Sequence, residues 1–368
     1  MKIEKVKMHH LRMQLATPFE TSFGCSATRD CILVEIAADG VIGYGECVAD
    51  QDPGYSYETI GTAWHISKDF LIPLLLGKEL SHPSNFKPLA AGIRGHPMAK
   101  AALEMALWDI IGKQKSQPLA QLLSGVQKTV PVGVSIGIQS SPTDLVKKVS
   151  QYINQGYQRV KIKIKPGRDI EETQTVRNAF PELILQVDAN SAYTLENAYL
   201  LKPLDELDLL LIEQPLAEDD IWDHHILQAK LNTPICLDES IQSVRHARQA
   251  IDLKATRIIN IKAGRVGGLS EAIAIHDLCQ EKQIPVWCGG MLETGVGRAS
   301  NLALASLPNF TLPSDISASD RYYERDITNE VFELNPDSTI NVPDQPGLGV
   351  SINRIELEKV TLATDVFP

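Results

Sequence analysis

The chain has 368 residues, 43% of them hydrophobic and 22% charged, a globular balance long enough for one large domain with a smaller partner. Thirty-five Lys and Arg stand against 46 Asp and Glu, a net charge of −11 that argues against a phosphate-backbone partner, and no apolar stretch approaches the length of a bilayer span. The six cysteines are scattered without CxxC pairs, and the opening MKIEKVKMHHLRM has no apolar signal core, so reduced thiols and a cytoplasmic location are expected.

Residues 1–60 read as an antiparallel sheet, with Cys31–Ile36 and Gly43–Glu46 as strands and Asp39-Gly40 as a turn; residues 58–124 read as helical. From about Val130 a short apolar run followed by a stretch of helical period repeats. The rhythm predicts parallel strands near 130–137, 159–164, 183–188, 208–213, 234–238, 257–262, 284–288 and 310–314, with helices such as 142–155, 169–180, 219–231, 243–253 and 269–282 between them. Eight strands suggest a closed α/β barrel. An open doubly wound sheet is the alternative, but the first strand leads into Ser135-Ile136-Gly137-Ile138, which is not a glycine-rich phosphate loop. The expected division is an α+β capping domain over 1–125, joined by a returning tail from about 320 to 368, and a modified TIM (β/α) barrel over 126–319.

In such a barrel every unit returns the chain to the same rim, so residues one unit apart can converge on one site. Lys163, Asp188, Glu213, Asp238 and Lys262 follow one another at intervals of 24 or 25 residues, each at the end of a predicted strand. One such charge is ordinarily solvated, but five in register are not explained that way. Lys161 and Lys163, two apart, share the interior parity. Asp188, Glu213 and Asp238 offer three hard oxygen ligands from consecutive strands, a set suited to magnesium, or manganese, rather than zinc. With Lys161 and a metal close by, Lys163 has the surroundings in which a lysine can serve as a base for the weakly acidic proton beside a carboxylate.

The run GYQRVKIKIKPGRD, with VDAN, IEQP, LDES, NIKAGRVGG and PVWCGGMLETG, resembles the muconate-lactonising subgroup of the enolase superfamily, and within it the o-succinylbenzoate synthase and N-succinylamino acid racemase branch. The resemblance extends over essentially the whole chain. It implies that Lys163 and Lys262 are bases on opposite faces of the substrate, that Lys161 neutralises its carboxylate, that Asp188, Glu213 and Asp238 bind the metal, and that Asn190 lies just outside the metal's ligands. It also implies lining residues in the loops around Pro18–Cys25 and Val48–Tyr55 and on the first and seventh strands: Phe19, Phe23, Ser135, Gly290, Met291 and Glu293. Phe19 and Phe23 would form an apolar lid or pack the seam between domains, and Trp287 is equally ambiguous. Lys165, directly before Pro166-Gly167, is read as a solvated loop charge.

Departures narrow the choice. Trp287-Cys288 stands where mandelate-racemase-like members need a histidine base, and Asp315-Ile316-Ser317 replaces the Asp-x-Asp pair of dipeptide epimerases. The expected substrate is a small carboxylate bearing a succinyl group. One candidate reaction is magnesium-dependent syn-dehydration of 2-succinyl-6-hydroxy-2,4-cyclohexadiene-1-carboxylate, a step of menaquinone or phylloquinone synthesis; the other is racemisation of N-succinylamino acids. A muconate-type cycloisomerase and a non-catalytic barrel are weaker alternatives. A homo-oligomer is expected.

Overall fold

The computed structural model describes residues 1–22 and 24–368, so Phe23 lies outside the described residues. Strands β1 (Ile3–Thr21), β2 (Gly24–Ala38) and β3 (Val41–Cys47) form an antiparallel meander. The β2–β3 hairpin turns at Asp39-Gly40, both with positive φ (50° and 77°), the backbone that a tight two-residue hairpin turn requires. Strand alternation sorts side chains to two faces: Val6, Met8, Ile32, Val34 and Ile36 pack under the helices of the cap, whereas Leu11, Met13 and Leu33 join the core shared with the barrel. The long helix Pro97–Lys115 lies directly on β3. Only glycine allows that approach, since a Cβ at Gly43 would sit 2.2 Å from the Ala106 carbonyl oxygen and one at Gly45 would sit 1.9 Å from that of Ala102.

The chain then enters β4 (Thr129–Pro131) and seven parallel strands: β5 (Val134–Ile136), β6 (Arg159–Lys163), β7 (Ile184–Asp188), β8 (Ile212–Glu213), β9 (Ile235–Leu237), β10 (Ile258–Ile261) and β11 (Val286–Cys288). Helices Pro142–Asn154, Ile170–Ala179, Ile221–Gln228, Val244–Asp252, Leu269–Glu281 and Gly295–Ala305 alternate with them, and a 3-10 helix, Ala198–Glu206, with Pro203 inside it, fills the remaining crossover. β12 (Thr339–Asn341) pairs with β4, and β13 (Thr361–Phe367) pairs antiparallel with β1, so the last strand of the chain completes the first sheet.

This is the expected modified barrel with its α+β cap, with two corrections. The predicted strand 130–137 is split: Thr129–Pro131 leaves for the pairing with β12, and at the break Gly133 sits against the Arg159 side chain, whose Nε would lie 2.3 Å from a Cβ there. The eighth strand, 310–314, is not a regular strand. Pro313 has no N–H to give to a ladder, and the seam is closed by single parallel bridges, Val286 to Phe310 and Val132 to Ser314. Among the described residues no helix is long and apolar enough to cross a membrane.

Candidate active site

Strand register brings the predicted ionisable residues together. Lys163 pairs with Asp188 and Asp188 with Glu213 across β6, β7 and β8, while Asp238 follows β9 and Lys262 follows β10. Parity turns all of them to the barrel interior, and Ile162 and Ile164, between and beyond the lysines, are buried on the helix side. Asp188, Glu213 and Asp238 are at most 1% exposed, Lys161 4% and Lys262 6%, a depth at which charges need partners.

The partners are each other. Lys161 Nζ lies 2.8 Å from Glu213 Oε2, 3.3 Å from Asp188 Oδ2 and 2.5 Å from Asp315 Oδ2. Lys163 Nζ donates to Asp188 Oδ2 at 2.6 Å and to Asn190 Oδ1 at 2.7 Å. Lys262 Nζ donates to Asp238 Oδ2 at 2.7 Å and to Tyr55 Oη at 3.0 Å, and Arg265 forms an ion pair with Asp238 as well. Asn260 Nδ2 donates to Glu213 Oε1 at 2.8 Å, and Asn190 Nδ2 to Glu239 Oε1 at 2.9 Å.

These contacts set the charges. Burial works against the Lys161 ammonium, but Asp315, Glu213 and Asp188 outweigh it and raise its pKa, so this lysine stays a cation. Lys262 is also raised: burial opposes its charge, but Tyr55, Glu239 and Glu213 prevail. Burial would raise Asp188, yet Lys163 and Lys161 hold it below the carboxylate range, whereas burial first and the charge of Asp188 second push Glu213 up. Burial, then Asp188, push Glu239 up to about 7.

Beside this network lies a cavity of about 210 Å³, lined by Lys161, Lys163 and Lys262 together with the expected Phe19, Ser135, Asn190, Gly290 and Met291; Asp188, Glu213 and Asp238 are not among its lining residues and lie behind the lysines they pair with. Glu293 is not among its lining residues. Its carboxylate accepts the Met291 amide at 2.8 Å and Asn301 Nδ2 at 2.9 Å, bracing the loop from behind. Lys165 is 37% exposed, 3.8 Å from Glu20. Trp287 is fully buried: its Nε1 donates to Cys236 Sγ at 3.3 Å, and its ring centroid lies 4.8 Å from the Lys161 ammonium.

The cap closes the cavity with the paired ends of β1 and β2 and with the segment after β3. Tyr55 enters from the segment after β3, and Ser22 Oγ donates to the Asn190 carbonyl at 3.1 Å. Arg29, 3% exposed, donates to the carbonyls of Val48 in the cap and, at 3.0 Å, of Met291 in the barrel. Tyr55, Arg29, Arg265, Glu239 and Asn260 are the functional neighbours that spacing did not reveal. Asp315 is another, although its place just after the predicted eighth strand was a usable signal.

The donor set fits a hard dication: three buried carboxylates from adjacent strands, with no sulfur or nitrogen ligand among them. As the side chains lie here, the carboxylate oxygens point at ammonium and guanidinium groups, and among the described residues no three His, Cys, Asp or Glu side chains converge on one point. Ligation therefore requires these carboxylates to exchange partners.

Comparison with known proteins places the chain in a family. The family described as "Enolase C-terminal domain-like" matches residues 144–356, and the mandelate racemase / muconate lactonizing enzyme N-terminal domain matches residues 3–124. An o-succinylbenzoate synthase of Geobacillus kaustophilus is 53% identical over 366 residues, covering 99% of this chain and 97% of that protein. An N-succinylamino acid racemase of Thermus thermophilus is 47% identical over 362 residues, covering 98% of each. The crystal structure of an enolase-superfamily member from Listeria innocua superposes with a TM-score of 0.96 at 43% identity, covering 100% of this chain and 99% of that one. The chain belongs to the mandelate racemase and muconate-lactonising group of the enolase superfamily, in the branch of the o-succinylbenzoate synthases and N-succinylamino acid racemases.

Proposed function

We propose that the chain is an o-succinylbenzoate synthase that also racemises N-succinylamino acids. The observation that carries this reading is the placement of Lys163, at the end of β6, and Lys262, just after β10, on one cavity, each paired to a different buried carboxylate. The full-length identity to synthases supports it. Asp188, Glu213 and Asp238 would hold magnesium, or manganese, which when bound supplies positive charge to the oxygens where negative charge gathers as the proton leaves, in line with the lysine-and-magnesium pairing of enolase-superfamily sites.

In dehydration Lys163 acts as the base and takes the proton from the ring carbon that bears the carboxylate. Lys161, kept charged by its three acid neighbours, donates to that carboxylate and so favours the enediolate over the substrate. The protonated Lys163 then gives its proton to the hydroxyl on the adjacent carbon, the C–O bond breaks with its electron pair, and water departs from the face where the proton was removed. The ring gains aromaticity and Lys163 returns to the state in which it began the cycle. Lys262, on the other face, contributes positive charge without moving a proton. In racemisation one lysine removes the α-proton and the other delivers a proton to the opposite face. Phe19 and the cap loops exclude water from the intermediate.

The second reading, a dedicated N-succinylamino acid racemase, draws on the relative from Thermus thermophilus. Purified chain with magnesium is assayed against the cyclohexadiene carboxylate and against N-succinylamino acids. Turnover of both supports the reading; racemisation without dehydration favours the second; turnover of neither removes both.

A further inference from the structure

We propose that Asp315 is a positioning residue that holds the Lys161 ammonium in place, and that its influence on turnover passes through that lysine. The inference rests on the reaction proposed above and adds to it a residue from the eighth position of the barrel.

An ammonium has three N–H donors, and those of Lys161 face three carboxylates. Two of them, Asp188 and Glu213, belong to the set that would hold the dication. Asp315 does not, and it is the nearest of the three, at 2.5 Å. It is also fixed from several strands. Ser135 Oγ on β5 donates to Asp315 Oδ2 at 2.9 Å, the Arg159 guanidinium on β6 pairs with Oδ1 at 2.6 Å, and the Asp315 amide donates to the Cys288 carbonyl at the end of β11 at 2.8 Å. The chain at Gly290 presses over it so closely that a Cβ there would lie 2.5 Å from the Asp315 carbonyl oxygen. On the remaining side the Trp287 ring receives the ammonium through its π face. Asp315 is 6% exposed and carries two cations. It is thus a fixed mount for Lys161, which keeps one donor tied to Asp315 while another turns to the substrate carboxylate.

The test compares Asp315→Asn, which keeps an acceptor for Ser135 but removes the charge, in wild-type and Lys161→Met backgrounds. In the wild-type background kcat should fall about 10- to 100-fold, the scale of losing a partner that orients a site residue, with KM nearly constant. Exchange of the α-proton of both enantiomers of an N-succinylamino acid in deuterated water should fall equally, because Lys161 serves the carboxylate common to both faces. In the Lys161→Met background the same substitution should add no further loss. A loss that multiplies in the double variant, or that strikes one face only, overturns the proposal. If Asp315→Asn does not fold, Ser135→Ala loosens the mount instead; it should give a smaller loss that likewise vanishes in Lys161→Met, and a loss that persists there overturns the proposal. If the wild-type chain turns over neither substrate, the proposed reaction falls while the mount is judged by crystallography. Displacement of Lys161 Nζ from the Trp287 face in Asp315→Asn supports it, and an unmoved Nζ overturns it.

Discussion

Lys163 and Lys262 reach one cavity from strands that have three others between them, and each is held by a different carboxylate, Asp188 at 2.6 Å and Asp238 at 2.7 Å. The symmetry of their positions does not make them equivalent in dehydration, where both proton transfers occur on one face. Lys163→Ala should abolish formation of o-succinylbenzoate. Lys262→Ala should reduce it only by the worth of a cation near the intermediate, about 10²- to 10³-fold in kcat by comparison with removal of one oxyanion donor. Steady-state assays of the two variants check this; equal residual rates would contradict the assignment.

The three buried carboxylates of the site predict a dependence on a dication. Chelation with EDTA should abolish turnover, and magnesium or manganese should restore it. Asp238→Asn removes one ligand charge and leaves Lys262 and Arg265 facing an amide, so metal affinity should fall by at least about 10- to 100-fold, the loss caused by disturbing outer partners alone. Calorimetric titration with magnesium measures it, and an unchanged affinity would count against the ligand set.

The cap is seated on its helix by two missing side chains. Gly45→Ala would place a methyl group 1.9 Å from the Ala102 carbonyl oxygen, inside the helix Pro97–Lys115. The strand and helix must move apart, and overpacking of this kind costs about 1–3 kcal/mol or more. Urea denaturation should show a lower midpoint with an unchanged slope. Wild-type stability would show that the helix and strand can separate at little cost.

The C-terminal segment is tied to the cap by a carboxylate with a shifted pKa. Burial would raise Glu35, but hydrogen bonds from His9 and Arg354 lower it to about 2. A carboxyl whose pKa is depressed in the folded state adds stability above its unfolded value, near 4.5, and loses it as pH falls toward 2. Arg354→Met should therefore cost most above pH 5, roughly 1–2 kcal/mol after discounting for solvent screening of a partly exposed pair. The difference should narrow between pH 4.5 and 2. Denaturation curves across this range check it, and a gap that widens toward low pH would reverse the sign.

The barrel and its ring of charges were legible because one physical rule generates both. A strand and its crossover helix take about 25 residues, so strand ends repeat, and the five residues from Lys163 to Lys262 follow that repeat. The rule fails at the seam. Pro313 prevents a regular eighth strand, and Gly133, pressed against Arg159, sits where the expected first strand breaks; Asp315 follows the expected eighth strand and belongs to the same ring, but the regular spacing runs only from Lys163 to Lys262. Tyr55 comes from the segment after β3 and Arg29 from the cap strand β2, and the contacts to the barrel that fix their positions leave no mark in the strand-helix rhythm. Glu293, expected to line the cavity, instead braces the Met291 amide, because the turn at Gly290–Leu292 brings its carboxylate back onto its own loop.

The central claim is that two lysines address the same carbon from opposite faces, and hydrogen exchange into N-succinylamino acids in deuterated water tests it most directly. Wild-type protein should exchange the α-proton of both enantiomers and interconvert them. Lys163→Ala and Lys262→Ala should each lose interconversion and retain exchange of one enantiomer only, with opposite choices, because each variant keeps the base on one face. Exchange of the same enantiomer by both variants, or normal racemisation by either, would contradict the two-face account.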